Sequence, residues 1–240
     1  MQVLTKAIVI SSVKYRDTSL IVKCYTQEEG VKAYLLRGIL KSKKGKVNKA
    51  HFLPLSILSI NALHNNKGAL NSISEAKALV PLITLHTDFV KQSVVFFISE
   101  VLAIVLREEE GENSELYLFL EQAIQLLDLN DEIANFHIKF LIELTRCLGF
   151  YPDEQNKEAY PFFDLFQGKY TQHNSSYVLQ GDDLALFKKA LGIKFEGLSN
   201  VFFSKKQRGI VVGQLLKYYQ LHLPYFRQPK SLEVLSKVLE

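Results

Sequence analysis

The sequence predicts an α+β protein: a five-stranded barrel over residues 1–80, then a mainly α-helical domain over 81–240 with an irregular insert near 150–180. Three observations carry this. Short apolar or alternating runs between turn residues fill the first 80 positions, which is the pattern of strands. From Pro81 onward, apolar residues recur mostly at helical spacing. The charge changes at the same place, with a formal charge of +9 over 1–80, −8 over 81–150 and +3 over 151–240.

Taken in order, Ala7-Ile8-Val9-Ile10 is apolar and β-branched, as a buried strand requires. Residues 19–25 alternate, and Glu28-Glu29-Gly30 forms a turn before a third strand over 31–39. A polar stretch over 41–49 leads to a fourth strand over 51–63, where Pro54 suggests an edge or bulge. Asn65-Asn66-Lys67-Gly68 is a hairpin signal, and 69–73 forms the fifth strand. Five short strands in this length suit an OB-fold barrel, a frame often used for nucleic acid. Helices are expected over 85–107, with Thr87 or Asp88 as cap, and over 114–127, 132–148, 182–191, 205–221 and 231–239. Gly149 fits the position after a helix end, and Gln167-Gly168-Lys169 reads as a turn.

Composition excludes several classes. A chain of 240 residues that is 48% hydrophobic and 22% charged can bury a core and is not disordered. Two cysteines, Cys24 and Cys147, exclude a disulfide framework and a four-cysteine zinc site. No basic region followed by an apolar stretch opens the chain, and the longest apolar run, 94–106, is broken by Glu100. A soluble protein of the cytoplasm is expected, with no membrane contact.

Catalytic constellations are absent from the pattern. Gly197-Leu198-Ser199-Asn200-Val201 lacks the final glycine of a nucleophile elbow. His51, His64, His86, His137, His173 and His222 are scattered, with no metal-ligand spacing between them. Glu143 and Cys147 share a helix face, where a thiol ordinarily packs as a small hydrophobe. No enzyme, metal or cofactor is expected.

The positive signal is a basic loop. Arg37, Lys41, Lys43, Lys44, Lys46 and Lys49 lie within 13 residues that hold no acid. Lysines on such a tether neutralise phosphates without reading sequence. Tyr15, Tyr25 and Tyr34 lie on the strands before it, with Tyr34 nearest. Each can stack a base or plug the barrel. An RNA-binding barrel and a scaffold docking an acidic protein fit the same charges.

The chain also resembles a known family, the bacterial recombination mediators called RecO. The likeness runs through Ala7-Ile8-Val9-Ile10, Tyr15-Arg16-Asp17, Thr26-Gln27-Glu28-Glu29-Gly30, Arg37-Gly38, the lysine-rich stretch and Phe52-Leu53-Pro54-Leu55. It continues in Gly68-Ala69-Leu70, Ser74-Glu75, Gly149-Phe150-Tyr151-Pro152, Tyr218-Tyr219, His222 and Lys230-Ser231-Leu232. The resemblance implies binding of single- and double-stranded DNA and annealing of complementary strands. It also implies partnership with RecR and single-stranded DNA-binding protein to load the recombinase RecA, which would place the chain at the nucleoid. One departure matters. Many members carry Cys-x-x-Cys pairs after the Gly-Phe-x-Pro junction, whereas no cysteine follows Cys147 here. Zinc is therefore expected to be absent, with Tyr160, Phe162, Phe163, Phe166 and Tyr170 available to shape that segment by packing. The acidic, apolar-ended tail of single-stranded DNA-binding protein needs an apolar pocket rimmed by cations. Lys205, Lys206 and Arg208, beside Phe202 and Phe203, are the candidates.

Overall fold

The computed structural model describes residues 1–41, 46–65, 70–107 and 111–239. It forms two compact units, Met1–Leu129 and Asn130–Glu240. Strands give way to helices near Pro81, but the first unit continues past that point through two helices.

In the first unit, β1 (Gln2–Tyr15), β2 (Ser19–Thr26), β3 (Gly30–Leu36), β4 (Ile57–Leu63) and β5 (Ser72–Ala78) form one sheet in the order β3-β2-β1-β4-β5, every neighbour antiparallel. The edges β3 and β5 meet at a single parallel bridge, Tyr34 to Asn71. There the Leu35 N–H donates to the Asn71 carbonyl at 2.8 Å, and the Asn71 N–H donates to the Ala33 carbonyl at 3.0 Å. The sheet is OB-like, but no continuous β3–β5 ladder closes it into a full barrel among the described residues. Ala7, Val9, Val22, Cys24, Leu36, Phe52, Leu58 and Ile60 fill its concave side. Burial there pushes the Cys24 thiol up to about 12.

Four strands differ from the sequence expectation, each for a local reason. β3 ends at Leu36 rather than at 39, because the chain turns over 37–40 with Gly38 at positive φ. β1 runs past Ile10 to Tyr15, because Ser11, Ser12 and Lys14 need no apolar partner where the strand leaves the core. The expected strand over 51–63 begins only at Ile57. Before it, Lys49–Phe52 is a 3-10 turn in which Asn48 Oδ1 accepts the Ala50 N–H at 3.0 Å. β5 lies at 72–78 rather than 69–73. A register shift between Asn61 and Ala62 turns both Ile73 and Ala76 inward, and a period of two misses that spacing of three. The hairpin signal at Asn66, Lys67 and Gly68 lies outside the described residues, as does the acidic Glu108–Glu110 stretch.

Two helices complete this unit, α1 (Phe89–Val105) and α2 (Ser114–Leu129). Asp88 caps α1, its Oδ1 accepting the Lys91 N–H at 2.8 Å. Tyr117 of α2 stacks on Tyr25 of β2, with ring centroids 6.2 Å apart. Asp128, near the end of α2, anchors the sheet-to-helix connection. Its carboxylate accepts the N–H groups of Ile83 (3.1 Å), Thr84 (2.8 Å) and Leu85 (2.7 Å). The buried Lys91 ammonium donates to the Asp128 carbonyl and to the Thr84 hydroxyl, both at 2.7 Å.

The second unit contains α3 (Phe136–Cys147) and a small sheet of β6 (Phe162–Asp164), β7 (Lys169–Thr171) and β8 (Val178–Leu179) in the order β7-β6-β8. α4 (Gly181–Leu191), α5 (Lys205–His222) and α6 (Leu232–Val238) follow. The segment that loses the helical period thus holds short strands. Of its five candidate aromatics, Phe163 and Tyr170 are buried, and Phe163 packs on Tyr170, Phe187 and Tyr218. Phe166 stays exposed against Tyr177. Gly168 turns β6 into β7 with φ +69°, and a Cβ there would lie 2.7 Å from the Tyr218 hydroxyl.

Asp128 contributes to the acid sensitivity of the first unit. Burial alone would raise its pKa, but the three N–H donors and the Thr84 hydroxyl outweigh it and hold the carboxylate below its ordinary 3.8. Its stabilisation is present above that value and is lost as pH falls through the lowered one. Asp128→Ala is expected to cost about 3 kcal/mol at pH 7, since charged hydrogen bonds are lost and buried N–H groups orphaned. Denaturant titrations of both proteins should show the difference narrowing below about pH 4.

Candidate nucleic-acid interface

The basic segment leaves β3 at Arg37. Gly38 takes a left-handed conformation, φ +69°, which glycine adopts without strain, and the Lys41 N–H returns to its carbonyl at 3.1 Å. Ile39 is buried in the sheet core, with Leu40 and Val47 packed against it. These apolar residues anchor both ends of the segment. Lys43 and Lys44 lie outside the described residues. Arg37, Lys41, Lys46 and Lys49 are exposed. Lys46 is partly matched, because Glu75 lies 3.9 Å away and also pairs with Lys77 at 3.1 Å.

The loop is tied to a second element that sequence reasoning did not place beside it. The Leu40 N–H donates to the Thr18 carbonyl at 3.0 Å, which brings the β1–β2 turn against the start of the basic segment. That turn carries Arg16 at φ +54°, and its guanidinium lies 5.3 Å from the centroid of the Tyr15 ring. Tyr15 is 38% exposed. Lys14, Arg16, Arg37 and Lys41 therefore share one end of the sheet, with Asp17 as an acid at the turn.

Of the two roles open to Tyr34, stacking a base or plugging the barrel, the structure gives it the second, so it is not a base-contacting residue. Its ring is fully buried in the core, so no base can reach its face. Its hydroxyl lies 2.8 Å from His64 Nε2, and His64 Nδ1 lies 2.8 Å from Glu29, which also pairs with Lys32 at 3.1 Å. Burial pushes the Tyr34 phenol up, and the neighbouring Cys24 and Glu29 charges add to this. For Glu29 burial acts upward, but the bonds and charges of His64 and Lys32 leave its carboxyl below the ordinary range. The group ties β3 to the end of β4 beside the lone β3–β5 bridge. Tyr25 is likewise withdrawn, against Tyr117.

In the second unit, Ser204 and Gln207 form a capping box at the start of α5, and Lys205 and Lys206 are exposed. Arg208 is used internally. Its Nη1 donates to the Phe203 carbonyl at 2.7 Å and its Nη2 to the Leu239 carbonyl at 3.0 Å, so it holds the end of α6. Phe203 is buried and Phe202 exposed. Between α5 and α6 lies a cavity of about 260 Å³, with Val212, Leu232, Leu235 and Leu239 among its walls and Lys205 and Lys237 at its edge. Burial, then the Arg208 charge, pushes the adjoining His137 down to about 3, so that imidazole is neutral at pH 7. Among the described residues no three His, Cys, Asp or Glu side chains gather as metal ligands, and no helix is long and apolar enough to cross a membrane.

Comparison with known proteins gives matches over nearly the whole chain. Residues 1–81 match the family model described as Recombination protein O N terminal, and residues 86–233 match Recombination protein O C terminal. The chain is 44% identical to DNA repair protein RecO of Flavobacterium psychrophilum and 43% identical to that of Flavobacterium johnsoniae, each over 99% of both chains. It is 33% identical to DNA repair protein RecO of Bacteroides fragilis over 98% of both chains.

The burial of Tyr34 separates stability from binding. Tyr34→Phe strands His64 Nε2 in the core and should lower unfolding free energy by about 1–2 kcal/mol in denaturant titration. Affinity for single-stranded DNA, read by fluorescence anisotropy, should stay within about twofold, because the ring meets no ligand. A large loss of affinity in a folded variant would return Tyr34 to the interface.

Proposed function

Because the chain belongs to the recombination protein O family of DNA repair proteins, we propose that it is a non-enzymatic mediator of recombinational repair. It binds single- and double-stranded DNA, anneals complementary strands, and helps load the recombinase RecA together with RecR and single-stranded DNA-binding protein. It works in the cytoplasm, at the nucleoid.

The observation that carries this reading is the basic segment anchored by Ile39, Leu40 and Val47, with Arg37, Lys41, Lys46 and Lys49 exposed. Annealing needs no catalytic group. A cationic surface screens the repulsion between two phosphate backbones and raises the local strand concentration, while base pairing supplies the driving force. Phosphate contacts of this kind carry no sequence preference, as a repair factor acting at arbitrary sites requires.

The acidic tail of single-stranded DNA-binding protein docks, in this reading, in the α5–α6 cavity. Apolar walls and rim lysines support it there, with Lys205 and Lys206 meeting the carboxylates. Arg208 acts indirectly, by fixing Leu239 as one wall.

Two measurements test these assignments. Replacing Lys41, Lys43, Lys44 and Lys46 by alanine removes about four phosphate contacts, and should lower the slope of log K against log salt for single-stranded DNA by about 3. An unchanged affinity and slope would remove the loop from the interface. For the tail, a synthetic peptide should bind Lys205→Glu/Lys206→Glu at least about tenfold more weakly than wild type at low salt, since each lost contact becomes a repulsion. Equal affinity with the fold intact would place the pocket elsewhere.

A further inference from the structure

The outer face of the sheet changes character along β1. Up to the register shift between Val9 and Ser11, outward residues are covered: Ile8, Ile10 and Tyr25 are buried, with Tyr25 under Tyr117. Past the shift, Ser11, Val13 and Tyr15 lie opposite Lys23, Ile21 and Ser19 on β2. On β3, Ala33 and Leu35 lie opposite Lys23 and Ile21. Cross-strand partners share a face, so Tyr15, Val13, Ile21 and Leu35 form one outward apolar strip. Val13 is 61% and Tyr15 38% exposed. Exposed Arg16, Lys23 and Arg37 rim the strip, and Lys41 is brought close by the Thr18–Leu40 bond. Asp17 is the acid at this end.

An apolar strip with an exposed aromatic ring, bordered by cations, matches a ligand with flat apolar faces strung on an anionic backbone. We infer that this outer face of β1–β2–β3 takes the unpaired bases of single-stranded DNA, with Tyr15 as the ring on which a base stacks. The inference rests on the DNA-binding reading above and adds to it a means of telling single strands from duplex. Bases within a duplex are already stacked and present only their edges and backbone, so only an unpaired base can lie on Tyr15. The Arg16 guanidinium lies 5.3 Å from the Tyr15 ring centroid, within reach of the phosphate adjoining a base stacked on that ring.

The chain contains no tryptophan, so Tyr15→Trp introduces a unique fluorophore at the site. Its emission is titrated with oligo(dT), with an abasic oligonucleotide of equal length, and with duplex of equal phosphate count, while anisotropy of labelled DNA reports occupancy. Strong quenching by oligo(dT), and little by the abasic strand or duplex at equal occupancy, is the expected result. In parallel, Tyr15→Ala should weaken oligo(dT) binding about 10- to 100-fold and leave abasic-strand binding unchanged. An indole that stays silent while oligo(dT) is fully bound overturns the inference and leaves the DNA-binding reading standing. Equal weakening of oligo(dT) and abasic strand by Tyr15→Ala also overturns it, since the ring would then only position Arg16. Failure of wild type to bind any of the three would overturn the DNA-binding reading and this inference together.

Discussion

The first unit depends on one strand serving two environments. β1 pairs with β2 on one side and β4 on the other, so it must satisfy two hydrogen-bond ladders while its side chains face different surroundings along its length. Over residues 7–10 both faces are buried, and the sequence is continuously apolar. The register shift between Val9 and Ser11 resets the alternation at the point where full burial ends. Beyond it, polar and exposed residues carry the strand out to the turn that meets the basic segment. A strictly alternating β1 could not supply both the core and that exposed end, because a slip of one residue exchanges the faces.

Buried polar groups hold the remaining joints, each with partners. Tyr34, His64 and Glu29 link β3 to the end of β4 where the sheet comes closest to closing. Asp128 receives the N–H groups of 83–85, so the chain leaves the sheet in a fixed direction toward α1. Such groups are costly to bury unpaired, and each is therefore tied to a single geometry. In the second unit aromatic packing does the equivalent work. Phe150 lies against Tyr218, Tyr219 and His222, and the Tyr218 hydroxyl donates to the Phe150 carbonyl at 2.8 Å. Gly168 is required because that same hydroxyl occupies the space a side chain would need.

The basic segment shows why charge can be read from sequence more readily than partners can. Six cations without an acid concentrate positive charge whatever the fold. That Glu75 faces Lys46, and that Arg16 belongs to the same end as Lys41, follows from strand pairing between residues far apart in the chain. Arg208 is the converse case. Three cations at a helix start look equivalent in sequence, yet one is spent on two backbone carbonyls because α6 folds back within its reach.

The sequence by itself determined the class of fold, the order of the main elements, a helix cap at Thr87 or Asp88, and the basic segment. These depend on local periodicity, capping chemistry and net charge, all of which act over a few residues. The same holds for the helices α2 and α5, whose bounds differ from the expectation by a residue or two. Only the tertiary structure decided which tyrosine faces water. Tyr15, Tyr25 and Tyr34 all lie on alternating strands, and parity along a strand does not say which face is covered. Tyr34 faces the core, Tyr25 meets Tyr117 of α2, and Tyr15 lies past a register shift beyond that cover. The length of β1 and the position of β5 were hidden for the same reason. Register shifts break the period that a sequence pattern relies on, and pairing with a distant strand is what fixes them.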